Sequence, residues 1–119
     1  MMEEHFRNPY EFWGKWLLPS VSRSHPMYHE NNYWRGRIWA PLNFLVYMGM
    51  RRYPNLKERE LLVKNSLDLF MQEWTEHRHV HENYSSINGY GDDVQNSDRN
   101  YAWGGLLAFM SLMEDGLLY

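Results

Sequence analysis

Glu82 stands between His81 and Asn83, just ahead of the glycine-rich turn Asn88-Gly89-Tyr90-Gly91. Far upstream lies Asn32-Tyr33-Trp34-Arg35-Gly36-Arg37-Ile38-Trp39-Ala40-Pro41-Leu42-Asn43, two aromatics and an arginine before a glycine and a third aromatic after it. A carboxylate, planar amides, a guanidinium and indole rings are the groups that bind sugars. Aromatic faces stack on the C–H side of a sugar ring, while Arg, Asn and carboxylate oxygens bond its hydroxyls. They are also half of what glycosidic cleavage requires, since that reaction uses two carboxylates flanking the bond.

Simpler roles are open to each of these residues. By residue type alone, Trp34, Trp39 and Trp103 are more often core than ligand platform, and Glu82 alone would be a solvated loop carboxylate. Asp92 and Asp93, a possible second carboxylate, lie in a Gly-rich segment where acidic pairs usually serve turns. His77, His79 and His81 alternate, so on an extended segment they would share a face and could hold a metal. With no cysteine and no other carboxylate at ligand spacing than Glu82, the expectation is no metal site and no cofactor. Methionines such as Met48, Met50, Met110 and Met113 read as core filler.

Helices must position these groups. Pro41 in a first turn opens a helix over about 39–52, apolar on almost every side and closed by Pro54. It is therefore expected to be buried all round, with Trp34, Arg35, Trp39 and Asn43 near its entrance. Asn55 is expected to cap a second helix, paired with Glu58 in a capping box. That helix runs to about His77, with Val63, Leu67, Phe70 and Trp74 on its packed face and Glu60–Lys64 as a surface pair. A third apolar helix starts near Asn100 and ends before Gly116, which takes the left-handed C′ position. Residues 20–32 and 78–99 read as long ordered loops, the kind that carry function. Buried, amphipathic, buried: this alternation predicts an all-α chain, with inner and outer helices.

Aromatics make up 17% of 119 residues, including six Trp, more than so small a core needs. They line a site, or they pack against protein outside this chain. A formal net charge of −3 gives no basic footprint for nucleic acid. No stretch is long enough to span a membrane and the N-terminus lacks a signal-like apolar run, so a soluble cytoplasmic protein is expected.

Residues 32–45 closely resemble the YWRG-x-IW-x-P-x-N signature of glycoside hydrolase family 63, whose relatives include processing α-glucosidases, mannosylglycerate hydrolases and, more remotely, trehalases. Leu18-Pro19-Ser20-Val21-Ser22-Arg23 is similar to the family's LPSISR loop. Val80-His81-Glu82-Asn83-Tyr84 and Tyr101-Ala102-Trp103-Gly104-Gly105-Leu106-Leu107 resemble its base-bearing loop and last inner helix. The resemblance implies an (α/α)6 toroid, Glu82 as general base of an inverting hydrolysis, and Trp34, Arg35, Trp39 and Asn43 lining the sugar pocket. Tyr84 and Trp103 would lie close by, and Arg35 would be the counter-charge of Glu82. The family's acid is an aspartate preceding the LPSISR-like loop. Residues 1–119 would then be a single unit, the C-terminal part of the catalytic domain, with an α-linked glucoside or related carbohydrate as partner. The alternative is a non-catalytic helical assembly module with a vestigial sugar pocket. Either way, helices apolar all round predict a homo-oligomer or a complementing chain.

Overall fold

The computed structural model describes residues 1–117. Three helices carry it: α1 (Ala40–Met50), α2 (Lys57–His77) and α3 (Leu106–Glu114). A π-helical turn at Met2–Phe6 and 3-10 turns at Tyr28–Glu30 and Ala102–Gly105 complete the regular structure. Only isolated bridges, and no strand, occur among the described residues. The chain is all-α, as the periodicity predicts. No helix is long and apolar enough to cross a membrane among the described residues.

Each helix packs on the other two, and the 3-10 turn before α3 rests on α1. Ala40, Tyr47 and Met50 of α1 meet Leu62 and Leu69 of α2 and Leu107, Met110 and Met113 of α3 in one core. Phe6, Trp16, Leu17, Ile38 and Tyr84 close that core from the loops. Glu114 joins the helices at one end, accepting from the Tyr47 hydroxyl at 2.8 Å and pairing with Arg59 at 3.3 Å. Burial and the neighbouring carboxylate push the Tyr47 phenol up to about 12.

Three expectations need correction. The first is that α1 and α3 are buried on every side. Only one stripe of each is covered within the chain, and Leu42, Leu45, Val46 and Met48 of α1, with Phe109 and Leu112 of α3, are exposed. Three short helices offer each other one face apiece, whatever their composition.

The second is the cap of α2. Asn55 has φ 61°, left-handed, whereas a capping residue needs extended backbone. Leu56 holds that conformation instead, with no side-chain cap, and Glu58 pairs with Arg7 at 2.6 Å.

The third is the inward face of α2: Val63 is in the core and Phe70 packs against it, but the line does not continue to Trp74. Leu62, Ser66, Leu69 and Glu73 point inward, and Trp74 lies exposed, stacked on Phe70. An apolar template discards Ser66 and Glu73, yet both are fully covered. The surface pair on this helix is Lys64–Asp68 rather than Glu60–Lys64.

The end of α3 follows expectation. Gly116 has φ 70°, its N–H bonds the Met113 carbonyl and the Leu117 N–H bonds the Leu112 carbonyl. These are the paired bonds of a Schellman stop.

A candidate sugar site built on laced loops

The site is assembled from loops tied together through their backbones. Ile38 and Tyr84 exchange both N–H···O bonds, at 2.7 and 2.9 Å. The Ser20 N–H bonds the Arg37 carbonyl at 2.8 Å, and the Glu82 N–H bonds the Asp98 carbonyl at 2.9 Å. Segments far apart in sequence therefore hold Glu82 a short way from Trp39.

A tight turn presents the aromatics. Asn32 and Arg35 bond each other across it, with Tyr33 left-handed at φ 49°. Gly36 follows at φ 96°, pressed so closely on the Tyr28 carbonyl that a side chain has no room there. Ser20 Oγ donates to the Trp34 carbonyl at 2.9 Å and accepts the Gly36 N–H at 3.1 Å. The LPSISR-like loop thus braces the YWRG segment.

Trp34 lies flat on Trp39, with centroids 3.8 Å apart and planes 4° from parallel. Trp39 is 0% exposed and its indole N–H donates to the Tyr33 carbonyl, whereas Trp34 is 45% exposed. Trp34 thus keeps an open face, and Trp39 backs the other. Trp103 meets Trp39 edge-on at 6.0 Å, and its indole N–H donates to the Glu82 carbonyl at 3.0 Å. A continuous aromatic wall therefore runs from Trp34 through Trp39 and Trp103 to Glu82. Tyr101, packed on Trp103 at 4.5 Å, extends it.

Glu82 is 9% exposed, and no hydrogen bond or ion pair engages its carboxylate among the described residues. Arg35 does not serve as its counter-charge, because the guanidinium pairs with Glu30. Asn43 and Tyr84 are fully covered. The Asn43 amide donates to the Leu17 carbonyl at 2.8 Å and accepts the Leu18 N–H at 3.0 Å, pinning the LPSISR-like loop to α1. The Tyr84 hydroxyl accepts the His81 N–H at 2.9 Å, and burial pushes its phenol well up. These two, with Trp39, hold the site from behind, while Trp34, Arg35, Trp103 and Glu82 are the predicted residues that retain some exposure.

Arg37 has no role that the sequence alone assigns. It is wholly buried, bonding Asn83 Oδ1, the Asn31 and Tyr90 carbonyls and Asp93, the last at 2.8 Å. Its signal is a guanidinium placed between a glycine and the apolar Ile38-Trp39 pair, where only buried acceptors can satisfy it. Asp93 is thereby engaged as an ion partner, and Asp92 lies 4.0 Å from His77. A mostly apolar cleft of about 350 Å³ lies between the N-terminal turn and α1, lined by residues such as Phe6, Leu18 and Leu45, with His5 and Asn43 as its polar members.

Known proteins match this chain. A family model, the mannosylglycerate hydrolase MGH1-like glycoside hydrolase domain, matches residues 1–104. Mannosylglycerate hydrolase of Thermus thermophilus is 30% identical over 101 residues, covering 82% of this chain and 22% of that protein. Mannosyl-oligosaccharide glucosidase of Saccharomyces cerevisiae is 29% identical over 103 residues, covering 74% of this chain and 12% of the relative. The crystal structure of an uncharacterised conserved protein, also from Thermus thermophilus, superposes with a TM-score of 0.66 at 28% identity, over 82% of this chain and 23% of its own. The chain spans less than a quarter of each. It belongs to the mannosylglycerate hydrolase MGH1-like family of glycoside hydrolases.

Proposed function

We propose that this chain is part of a glycosidase catalytic domain of the toroidal kind, supplying the general base and one aromatic wall of the sugar subsite. Glu82 takes the proton from the attacking water in an inverting hydrolysis of an α-glycosidic bond. Trp34 offers its open face to the sugar, with Arg35 and Trp103 at its edges and Trp39, Asn43 and Tyr84 behind. The observation that carries this is the indole of Trp103 on the Glu82 carbonyl, with Trp103 itself against the Trp39–Trp34 stack. An unengaged carboxylate beside an aromatic wall has oxygens available for water.

The reaction also needs an acid to protonate the leaving oxygen, held across the bond from the base. Asp93 is committed to Arg37, and we assign the acid to no residue of this chain. Hydrolysis by the 119-residue chain alone is therefore not expected. The names of the relatives make mannosylglycerate and α-glucosides the ligands to try. Titration with each, followed by the indole N–H resonances, should move Trp34 and Trp103, and W34A should weaken binding about tenfold, a loss of one stacking face. No shift at either indole with any of these ligands would overturn the sugar site. Turnover abolished by E82Q would instead put an acid within the chain.

A second reading is the non-catalytic assembly module, favoured by the exposed apolar residues of α1 and α3. On that reading the aromatic wall is vestigial and the helices bury their open faces against another copy or a complementing chain.

A further inference from the structure

We propose that Glu73, His79 and His81 form a binding site for one divalent first-row transition ion of zinc-like chemistry. The site joins the end of α2 to the loop that carries Glu82. It stands independently of the sugar site.

Arg78, left-handed at φ 59°, ends α2 and turns the chain back over the last helical turns. Beyond it, the rings of His79 and His81 both turn toward Glu73. Glu73 is fully buried and His81 nearly so, while the His79 side chain keeps a thin edge of exposure. Glu73 Oε1 lies 3.4 Å from Nε2 of His79 and 3.4 Å from Nε2 of His81, and the two Nε2 atoms are 3.0 Å apart.

The far side of each ring decides what these nitrogens carry. His79 Nδ1 lies 3.0 Å from the His77 carbonyl, and His81 Nδ1 lies 3.0 Å from the Ser97 carbonyl. A carbonyl oxygen only accepts, so both rings hold a proton on Nδ1 and turn an Nε2 lone pair to the common point. Two lone pairs and a carboxylate oxygen converge in a largely buried place, and acceptors so arranged are satisfied by one cation between them, a role a metal ion can fill.

The dimensions fit a metal ion. A tetrahedral zinc site with bonds of about 2.0–2.1 Å separates its ligand atoms by about 3.3–3.4 Å. Two of the three separations already match, and the third needs the rings to part by a few tenths of an ångström. Two imidazoles and one carboxylate suit a borderline ion such as Zn²⁺ or Co²⁺, and the fourth position, toward the exposed edge of His79, is open to water.

The outer shell is in place as well. The two carbonyls fix the rings, the Gly91 N–H holds Glu73 Oε2 at 3.1 Å, and His77 Nδ1 lies 2.7 Å from Oε1. A side chain at Gly91 would run into the His81 ring, so glycine lets that loop close over the site. The expectation of no metal ligand weighs only Glu82 as a carboxylate partner. Glu73 escapes it because it comes from the helix before the histidines, on a face that reads as solvent-exposed.

The test is titration of the chelator-treated 119-residue chain with Co²⁺, followed by its visible d–d absorption, and then with Zn²⁺ in competition. The expected result is saturation at one ion per chain, tetrahedral-type absorption, displacement by Zn²⁺ and a melting temperature that rises with Zn²⁺ concentration. H79Q should weaken binding at least about tenfold while keeping the helical far-ultraviolet spectrum. H25Q/H29Q, altering exposed histidines elsewhere, should bind as the parent does. Absence of saturable binding would overturn the site, as would an H79Q variant that binds as tightly as the parent; the two rings would then share a proton instead. Should H79Q fail to fold, X-ray absorption of the Zn²⁺ form decides, and fewer than two imidazole ligands would overturn the proposal.

Discussion

Arg37 and Glu82 lie in segments bridged to one another and differ in what surrounds their charges. The Arg37 guanidinium is wholly buried and fully engaged, so its removal leaves Asp93, Asn83 and two carbonyls without their donor. Asp93 reaches water, but acceptors left unpaired in the interior cost about 1–3 kcal/mol each, so R37A should lower stability by about that amount or more in chemical denaturation. Glu82 gives its backbone to the fold and keeps its carboxylate out of it. E82Q removes a carboxylate that is about nine-tenths buried and unpaired, so it should not lower stability. A large loss of stability in E82Q would make the carboxylate structural and remove the reason to treat it as a base.

At the level of the elements, helix existence and type were legible and helix faces only in part, Val63 being inward as expected. Pro41, Pro54 and Gly116 act through local backbone rules, so α1 and the end of α3 could be set from sequence alone. The face of α2 depends on what Ser66 and Glu73 meet after folding. Glu73 meets His77, His79, His81 and the Gly91 N–H, partners that reach it only when the loop after α2 folds back over the helix. Likewise, the spacing of Asn55 and Glu58 suggests a cap, but Glu58 is drawn away by Arg7, which is far from it in sequence. The wall from Trp34 to Trp103 was legible only through motif resemblance, and the positions of Trp39, Asn43 and Tyr84 behind it came from packing.

The Arg7–Glu58 contact ties the N-terminal segment to the first turn of α2. The hydrogen bond from Arg7 holds the Glu58 carboxyl below its ordinary range against the smaller opposing effect of burial. A carboxyl lowered in the folded state adds stability that is present above its unfolded value and is lost as pH falls through the folded one. Arg7 is partly exposed and screened, so the contribution is about 1 kcal/mol or less. R7A should lower stability by that amount at neutral pH, and the difference from the parent should close on acidification. A gap that stays constant into strong acid would assign the effect of Arg7 to packing.

The whole molecule is flat, with extents of 39 × 32 × 18 Å, about two helix layers thick. In so thin a body a helix can cover one side and leave the other open. On α1 the open side carries Leu42, Leu45, Val46 and Met48, Leu45 being 66% exposed, and on α3 it carries Phe109 and Leu112. Phe44 and Phe109, 6.0 Å apart, bring the two helices' aromatic residues together, so neighbouring apolar residues of α1 and α3 are exposed together. Adjacent exposed apolar residues mark a surface that associates, and two copies meeting through it would do so about a twofold axis. The 119-residue chain should therefore sediment as a dimer at micromolar concentration. L45E, placing a charge at the most open of these helix positions, should shift it to monomer without loss of helix, since the Leu45 side chain makes little contact within its own fold. A stable parent monomer at that concentration, with melting independent of protein concentration, would leave the exposed helix faces without a partner in a second copy.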